Sequence, residues 1–348
     1  MASPLYRRHS AGLAAAYADL ENHALSQGEV LAGTPGALSL RSNGGGVRFW
    51  VRQYYDFDRN KRDQYIVAYD SAEAESRVNE LRQRIEEAKD LLKSVRLLAR
   101  EGYLTLTPRH FAAIAPLANH GLFQAGAILV GTHAFEVIVN RLGIRAEPFA
   151  TEDVDIARNA KLALQRPLEG GLLELLRKSG IDFVTVPQFD PRDPSTSFKE
   201  KGRSRFSVDL LVPAAGATAG SEPVPELQAH AVSLPYLRYL LGETQTGAAM
   251  STQGIAAVRV PVAERFALHK LVVSRLRRGG SEKSLKDLRQ ASILIAAMGE
   301  LFPGALEQAY GRTPVSTRSL IRKSLEMIRE PLAAHPHAWE EVSACAKI

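Results

Sequence analysis

Polar and apolar residues alternate along residues 36–69, and this alternation is typical of β-strands. Two turn signals, NGGG at 43–46 and FDRNKR at 57–62, divide the segment. We therefore predict a small hairpin or three-stranded unit. Its Trp50, with neighbouring tyrosines and arginines, would either contact a nucleic acid or form the core of this small sheet.

Beyond this unit the apolar residues recur at helical spacing. Residues 72–100 are highly charged but carry leucines and valines every three or four positions, which predicts one long helix. This helix would act as an arm, a linker or a dimer contact. A second helix is predicted from Pro108 to about Asn119, because proline suits the first helical position.

The central third alternates between short apolar strands and helices. Strands are predicted at 125–131, 151–157, 182–187 and 205–213, and helices at 132–143 and near 170–180. The proline-bearing stretch 188–204 is predicted to be a loop, and the proline- and glycine-rich stretch 213–226 a surface excursion or domain boundary.

The last third is predicted to be mainly helical. After a segment around 233–243 we expect a strand at 255–261 and helices at about 263–278, 282–299 and 316–330. The whole pattern predicts an α+β protein: a small mixed-sheet core with helices packed on it, a mainly helical C-terminal domain, and an N-terminal hairpin plus long helix. The expected divisions are a β-rich unit at 1–70, a helical arm at 71–122, the core at 123–215 and the helical domain at 216–348.

Composition excludes several classes of protein. With 45% hydrophobic and 24% charged residues the chain resembles an ordinary soluble protein. Its apolar runs fall short of the roughly 20 residues that cross a bilayer, and its start lacks a signal-like segment, so we expect a cytoplasmic protein with no membrane partner. The single cysteine, Cys345, cannot form an internal disulfide, and no Cys/His spacing resembles a zinc site.

The net charge of +6 favours a polyanionic partner. Basic residues are concentrated towards the C-terminal helices, where they far outnumber the acidic ones: Arg259, Arg265, Lys270, Arg275, Arg277, Arg278, Lys283, Lys286 and Arg289. A solvated helix face would explain this cluster equally well.

Two carboxylates occupy one face of the predicted strand TEDVDIA, residues 151–157. Side chains alternate along a strand, so Asp153 and Asp155 lie on the same side, roughly 6 to 7 Å apart at Cα. Neighbouring like charges are tolerated when both face water. They are favourable when they share a divalent cation such as Mg²⁺, which prefers oxygen ligands and substrate phosphates.

Two further features favour chemistry at this strand. The apolar strand before Gly131 and Thr132 leads directly into a helix, whose first N–H groups can hold a phosphate. The alternative is an ordinary junction with Thr132 as the N-cap. Downstream, Asp209 interrupts the apolar strand 205–213, and a carboxylate there must be paired, exposed or bound to metal.

These residues resemble the signature of the DNA polymerase β-like nucleotidyltransferase superfamily. The matching residues are Gly131 and Thr132, then Asp153 and Asp155, then Asp209. The resemblance implies that the three aspartates bind two Mg²⁺ ions, that the Gly-Thr turn holds the NTP, and that Asp209 helps to activate the attacking hydroxyl. The chain departs from the commoner pattern in having threonine for serine and a longer interval before the aspartates, which an insertion at 144–150 would absorb.

Residues 260–295 resemble the helical region of abortive-infection-type nucleotidyltransferase toxins and related bacterial nucleotidyltransferase-fold proteins. By this resemblance Lys270 contacts the triphosphate and Asp287 supports the nucleotide site. The alternative is an exposed lysine and an intrahelical ion pair. The whole resemblance covers roughly residues 123–300.

The function implied is a Mg²⁺-dependent nucleotidyltransferase that moves an NMP from an NTP to an acceptor hydroxyl. The positive charge favours RNA, such as tRNA, as the acceptor, and the toxin-like resemblance would bring a cognate antitoxin. A protein or small-molecule acceptor stays open. So do a non-catalytic nucleic-acid-binding or regulatory protein that keeps the fold, and a protein that forms homodimers through the helix at 72–100.

Overall fold

The computed structural model describes residues 3–187, 194–216, 218–277 and 281–348. The helices in these ranges are α1 (Ala11–Ser26), α2 (Ala74–Arg100), α3 (Pro108–Asn119), α4 (Gly131–Arg141), α5 (Gly171–Arg177), α6 (Leu237–Leu241), α7 (Ala263–Leu276), α8 (Glu282–Leu301), α9 (Ala305–Gly311), α10 (Arg318–Ile328) and α11 (Pro336–Ala346). The strands are β1 (Arg7–Arg8), β2 (Ala37–Ser42), β3 (Arg48–Tyr55), β4 (Lys61–Ala68), β5 (Ala127–Val130), β6 (Ile144–Arg145), β7 (Asp153–Arg158), β8 (Phe183–Thr185), β9 (Ser197–Glu200), β10 (Ser207–Pro213), β11 (Gly220–Val224), β12 (Ala229–Leu234), β13 (Thr244–Ser251) and β14 (Gly254–Pro261). The predicted α+β class is confirmed.

A mixed sheet of seven strands forms the centre of the molecule. Strand β10 pairs in parallel with β7 and β12 and antiparallel with β9, while β5 pairs antiparallel with β7. Alternate residues of β7 and β10, including Val154, Ile156, Val208 and Leu210, are buried. Helices cover the apolar face of the sheet, so the opposite side chains of the same strands remain available for polar chemistry.

The N-terminal strands form the predicted three-stranded antiparallel sheet, in the order β2-β3-β4. Its two turns are closed by local hydrogen bonds, in which Asn43 Oδ1 accepts from Gly45 and Val47 and Asp56 Oδ1 accepts from Asp58 and Asn60.

Helix α1, which precedes this sheet, was not predicted. Its inward face is composed of Tyr17, Leu20 and Ala24 among many alanines, which leaves little apolar contrast along the sequence.

The long helix α2 agrees with its prediction. Its buried residues, among them Val78, Ile85 and Leu98, pack within the same chain against α1, the N-terminal sheet and β14. The apolar stripe that suggested a dimer contact is therefore already covered by intramolecular contacts.

Two segments differ from the predicted pattern. Within the predicted loop 188–204, residues 188–193 lie outside the described residues, but Ser197–Glu200 is strand β9, hydrogen-bonded to β8 and β10. The predicted excursion at 213–226 contains β11, which pairs with β12 and extends the core sheet past residue 215. These strands are short and polar, so their pairing depends more on the neighbouring strands, β8 and β10 for β9 and β12 for β11, than on their own sequence.

The C-terminal helices form one layer around α7 and α8, which pack against each other. Helices α7, α8 and α10 correspond to predicted helices. Helix α7 ends at Leu276, and Arg278, which was included in that prediction, lies outside the described residues. Helices α9 and α11 and strand β13 were not predicted. No described helix is both long and apolar enough to span a membrane.

Phe135 of α4 tests the contact between the core and the C-terminal helices. It is fully buried and its ring contacts Phe149 and Phe266. Phe135→Ala should lower the free energy of unfolding by about 3–5 kcal/mol, measured by urea denaturation. The exposed Phe302 supplies a matched control, and Phe302→Ala should have a much smaller effect. Equal effects would contradict this core assignment.

Candidate active site

The three predicted carboxylates lie on neighbouring strands of the core sheet. In the parallel pairing of β7 and β10, Asp155 lies opposite Asp209, and Asp153 lies opposite Ser207. Paired positions of adjacent strands present their side chains on the same face, and Asp153 shares that face because it is two residues from Asp155. The fold therefore brings together Asp153, Asp155 and Asp209.

The three negative charges of this carboxylate cluster repel one another, and the cluster is partly buried. Burial, together with the charges of Asp209 and Asp153, raises the pKa of Asp155 to about 6, and Lys270 and His133 act in the opposite direction. Burial also raises the pKa of Asp209, although a hydrogen bond with the Ser197 side chain acts the other way. A cation placed between these carboxylates would relieve their repulsion.

Gly131 lies directly against this cluster. It follows Val130, the β5 residue opposite Asp155, and has a φ of +68°. A Cβ atom at this position would overlap Asp155 Oδ2, so both backbone conformation and space require glycine.

Helix α4 begins at this glycine with its N-terminus facing the cluster. The N-cap residue is Val130, and no described side chain caps the first turn. Thr132 is thus a helical residue, and the alternative prediction that it is the N-cap of an ordinary strand–helix junction is wrong. The unpaired N–H groups of the first turn, together with the helix dipole, form a suitable place for a phosphate.

Helix α8 supplies two lysines that the sequence did not single out from its basic run. Lys286 Nζ donates hydrogen bonds to Thr132 Oγ1 and to the Ala150 carbonyl, both at 3.3 Å. Lys283 Nζ lies 3.7 Å from Asp153 Oδ2. Burial, together with nearby Lys270, lowers the pKa of Lys286. Two ammonium groups therefore flank the helix start and the carboxylates.

Lys270 and Asp287 form a buried ion pair between α7 and α8. Lys270 Nζ lies 2.6 Å from Asp287 Oδ1, and Arg277 Nε lies 2.6 Å from Asp287 Oδ2. The side chain of Asp287 has no exposed surface. The alternative of an exposed lysine and an intrahelical pair is thus wrong, because both cationic partners lie outside α8.

Two histidines behind the carboxylates were missed by the sequence analysis. His133 Nδ1 lies 2.9 Å from Glu136 Oε2, and the His133 ring contacts His110 with 4.4 Å between centroids. Burial lowers the pKa of His110 to about 3, so its imidazole is neutral at physiological pH. The one signal in the sequence that could have identified His133 was its position directly after Gly131 and Thr132.

The donor atoms suit a hard cation but do not form a complete cage by themselves. Among the described residues, no group of three or more His, Cys, Asp or Glu side chains forms a ready metal site. Mg²⁺ is commonly held by one or two carboxylates while phosphate oxygens and water complete its octahedron. The carboxylate cluster fits that pattern, since it offers oxygen atoms beside a place for phosphate.

Asp287→Ala should be strongly destabilising, because it leaves the Lys270 ammonium buried without its partner. We expect the free energy of unfolding to fall by about 3–5 kcal/mol, measured by chemical denaturation. Asp182→Ala, which removes an exposed carboxylate 3.7 Å from Lys201, should change it far less. A small effect of Asp287→Ala would show that the buried pair does not hold α7 and α8 together.

Comparison with known proteins identifies the family to which the chain belongs. A family model described as nucleotidyltransferase matches residues 109–314, which contain all of the carboxylates, the glycine turn and the lysines of α7 and α8. No curated protein and no solved structure matches the chain. Because the match covers more than half of its length, the chain belongs to the nucleotidyltransferase family.

Proposed function

We propose that this protein is a Mg²⁺-dependent enzyme that transfers a nucleoside monophosphate from an NTP to an acceptor hydroxyl. The observation that supports it most is the register of β7 and β10, which aligns Asp155 with Asp209 beside the open start of α4 at Gly131. A carboxylate cluster next to a phosphate-binding helix start is the arrangement that nucleotidyl transfer needs.

In this proposal Asp153, Asp155 and Asp209 would hold two Mg²⁺ ions. When bound, Mg²⁺ would offset the negative charge of the triphosphate and favour deprotonation of the acceptor hydroxyl. The residues fit this role, because burial and mutual repulsion of the carboxylates disfavour their ionised forms without a cation.

The triphosphate would be held by the first turn of α4 and by lysines. Thr132 and Lys286 already lie within hydrogen-bond distance of each other at this turn. Lys270 uses one of its three ammonium donors on Asp287, which leaves donors for a phosphate oxygen. Asp287 then acts as a positioning residue, since it fixes Lys270 and Arg277 without contacting the nucleotide itself.

The acceptor oxygen would attack the α-phosphorus, so that a new O–P bond forms while the bond to the β-phosphate oxygen breaks. Asp209 would accept the hydroxyl proton, and pyrophosphate would leave with the displaced electron pair. The Ser197 side chain, hydrogen-bonded to Asp209, would help to orient that carboxylate. Lys286 and the α4 N-terminus would stabilise the charge on the leaving group.

RNA is the acceptor class that the charge of the chain favours. A net charge of +6 would attract a polyanion, whereas a cationic drug would require an acidic surface. A toxin-like role with a cognate antitoxin is the further hypothesis that follows from the sequence resemblance.

Replacing both strand carboxylates tests the proposed chemistry. Asp153→Asn with Asp155→Asn should lower label transfer from radiolabelled NTPs to total RNA, in Mg²⁺, by at least about a thousandfold, because metal-bound charge stabilisation is worth several kcal/mol. The exposed Asp182→Asn is the control and should retain activity. Equal labelling by all three proteins, or none by wild type with RNA, protein and small-molecule acceptors, would refute the enzyme proposal.

Lys286 tests the proposed phosphate site. Lys286→Met should raise the KM for NTP roughly 10- to 100-fold, since a hydrogen bond to a charged group contributes about 1.5–3 kcal/mol. Lys323→Met, on the exposed side of α10, should leave the KM unchanged. An unchanged KM in Lys286→Met would place the triphosphate elsewhere.

A further inference from the structure

A large groove separates the N-terminal sheet from the core. Its volume is about 1080 Å³, and none of the three carboxylates lines it. Strands β3 and β4 with helix α2 form one wall, while α3, α5 and the segment before α5 form the other. Pockets for small ligands span about 300–1,000 Å³, so this open groove suits an extended ligand.

A buried guanidinium lies at the floor of the groove. Arg52 has no exposed surface and donates to neutral acceptors, at 3.0 Å to Gln64 Oε1, 2.7 Å to the Ala32 carbonyl and 3.5 Å to the Thr34 carbonyl. No salt bridge joins it to a carboxylate among the described residues. Burial lowers the pKa of Arg52 to about 10, and it remains cationic at neutral pH. Because Arg52 is fully buried, it cannot make the contact with a nucleic acid on the exposed surface of the hairpin that the sequence left open.

Other cations line the walls. They are Arg77, Arg84, Arg166 and Lys178, against the acids Glu29, Glu80 and Glu169. Arg84 and Glu29 pair with each other at 3.1 Å, while Arg166 and Lys178 are exposed and have no salt bridge within the described chain. With Arg52 included, cations exceed acids by five to three, so the groove complements an anionic ligand.

An aromatic ring is also available at the groove. Tyr65 of β4 lines it with 62% of its surface exposed. A polar groove with arginines and an exposed tyrosine combines the two contacts by which proteins hold single strands, namely phosphate pairing and base stacking.

Helix α3 connects the groove with the carboxylate site. Residues of α3 from Phe111 to Asn119 line the groove, while His110, in its first turn, contacts His133 beside the carboxylates. The helix has 12 residues and is therefore about 18 Å long. A short oligonucleotide can span that distance.

We propose that the groove binds a single-stranded segment of RNA, with phosphates on Arg166 and Lys178 and a base on Tyr65. This proposal rests on the proposed function in that the bound strand is the acceptor whose hydroxyl reaches the carboxylate site.

Charge reversal at the groove provides the test. Arg166→Glu with Lys178→Glu should weaken binding of a fluorescein-labelled single-stranded RNA 12-mer by at least about tenfold in fluorescence anisotropy, and should lower the slope of log K against log salt by about 1.4, or about 0.7 per lost phosphate contact. Tyr65→Ala should weaken binding about fivefold or more. Arg96→Glu with Lys323→Glu changes the charge equally on exposed residues outside the groove and should have little effect.

Other outcomes would overturn the groove proposal. Equal weakening by the groove and control pairs would show that net charge alone attracts RNA. Binding of poly-glutamate as tight as that of RNA, with the same sensitivity to the groove variants, would indicate an acidic protein partner. If wild type binds no RNA yet labels another acceptor in a reaction that requires Asp153 and Asp155, the groove proposal fails while the proposed function stands. If RNA binds in the groove but no acceptor is labelled, the proposed function fails alone.

Discussion

The repulsion between three aspartates on two paired strands is the constraint around which the rest of the site is arranged. Asp155 and Asp209 lie in register, and Asp153 shares their face. Such a cluster is costly unless cations lie nearby, and the structure provides them from α7 and α8. It also leaves Gly131 without room for a side chain, since Asp155 occupies that space. The glycine at the start of α4 and the lysines of α8 both adjoin this one crowded group of carboxylates.

The C-terminal helices place two lysines beside the carboxylate cluster and the start of α4. Asp287 draws Lys270 and Arg277 together and fixes α8 against α7. This contact in turn sets the position of Lys283 and Lys286, which lie on the same helix near Asp153 and Thr132. Asp287 is buried with two cationic partners, and this ion pairing fixes the rotation of α8, the helix that also places lysines beside the carboxylate cluster.

The N-terminal region has a different relation to the core. Its sheet packs against α2, and the tip of the β3–β4 hairpin meets the core through Arg109, which bridges Asp58 and Glu200. These contacts hold the sheet beside α3 and leave the groove open. The buried Arg52 then places positive charge at the floor of a groove whose walls come from sequence segments far apart.

Local sequence patterns were enough to predict which side chains share a face of a strand and to predict the class of the fold. The alternation in TEDVDIA placed Asp153 and Asp155 on one face, because side-chain direction along a strand is a local property. Glycine before a helix and one carboxylate within an apolar strand are also local signals. The order of the strands in the sheet, which aligns Asp209 with Asp155, depends on contacts between distant segments of the chain. Such contacts likewise placed Lys286 and Lys283, which the sequence did not distinguish from the other basic residues of their run, beside Thr132 and Asp153, and they brought His133 close to Asp155. Strands β9 and β11 and helix α1 escaped prediction for the same reason: their stability comes from long-range pairing and packing, which a local pattern of polar and apolar residues does not contain.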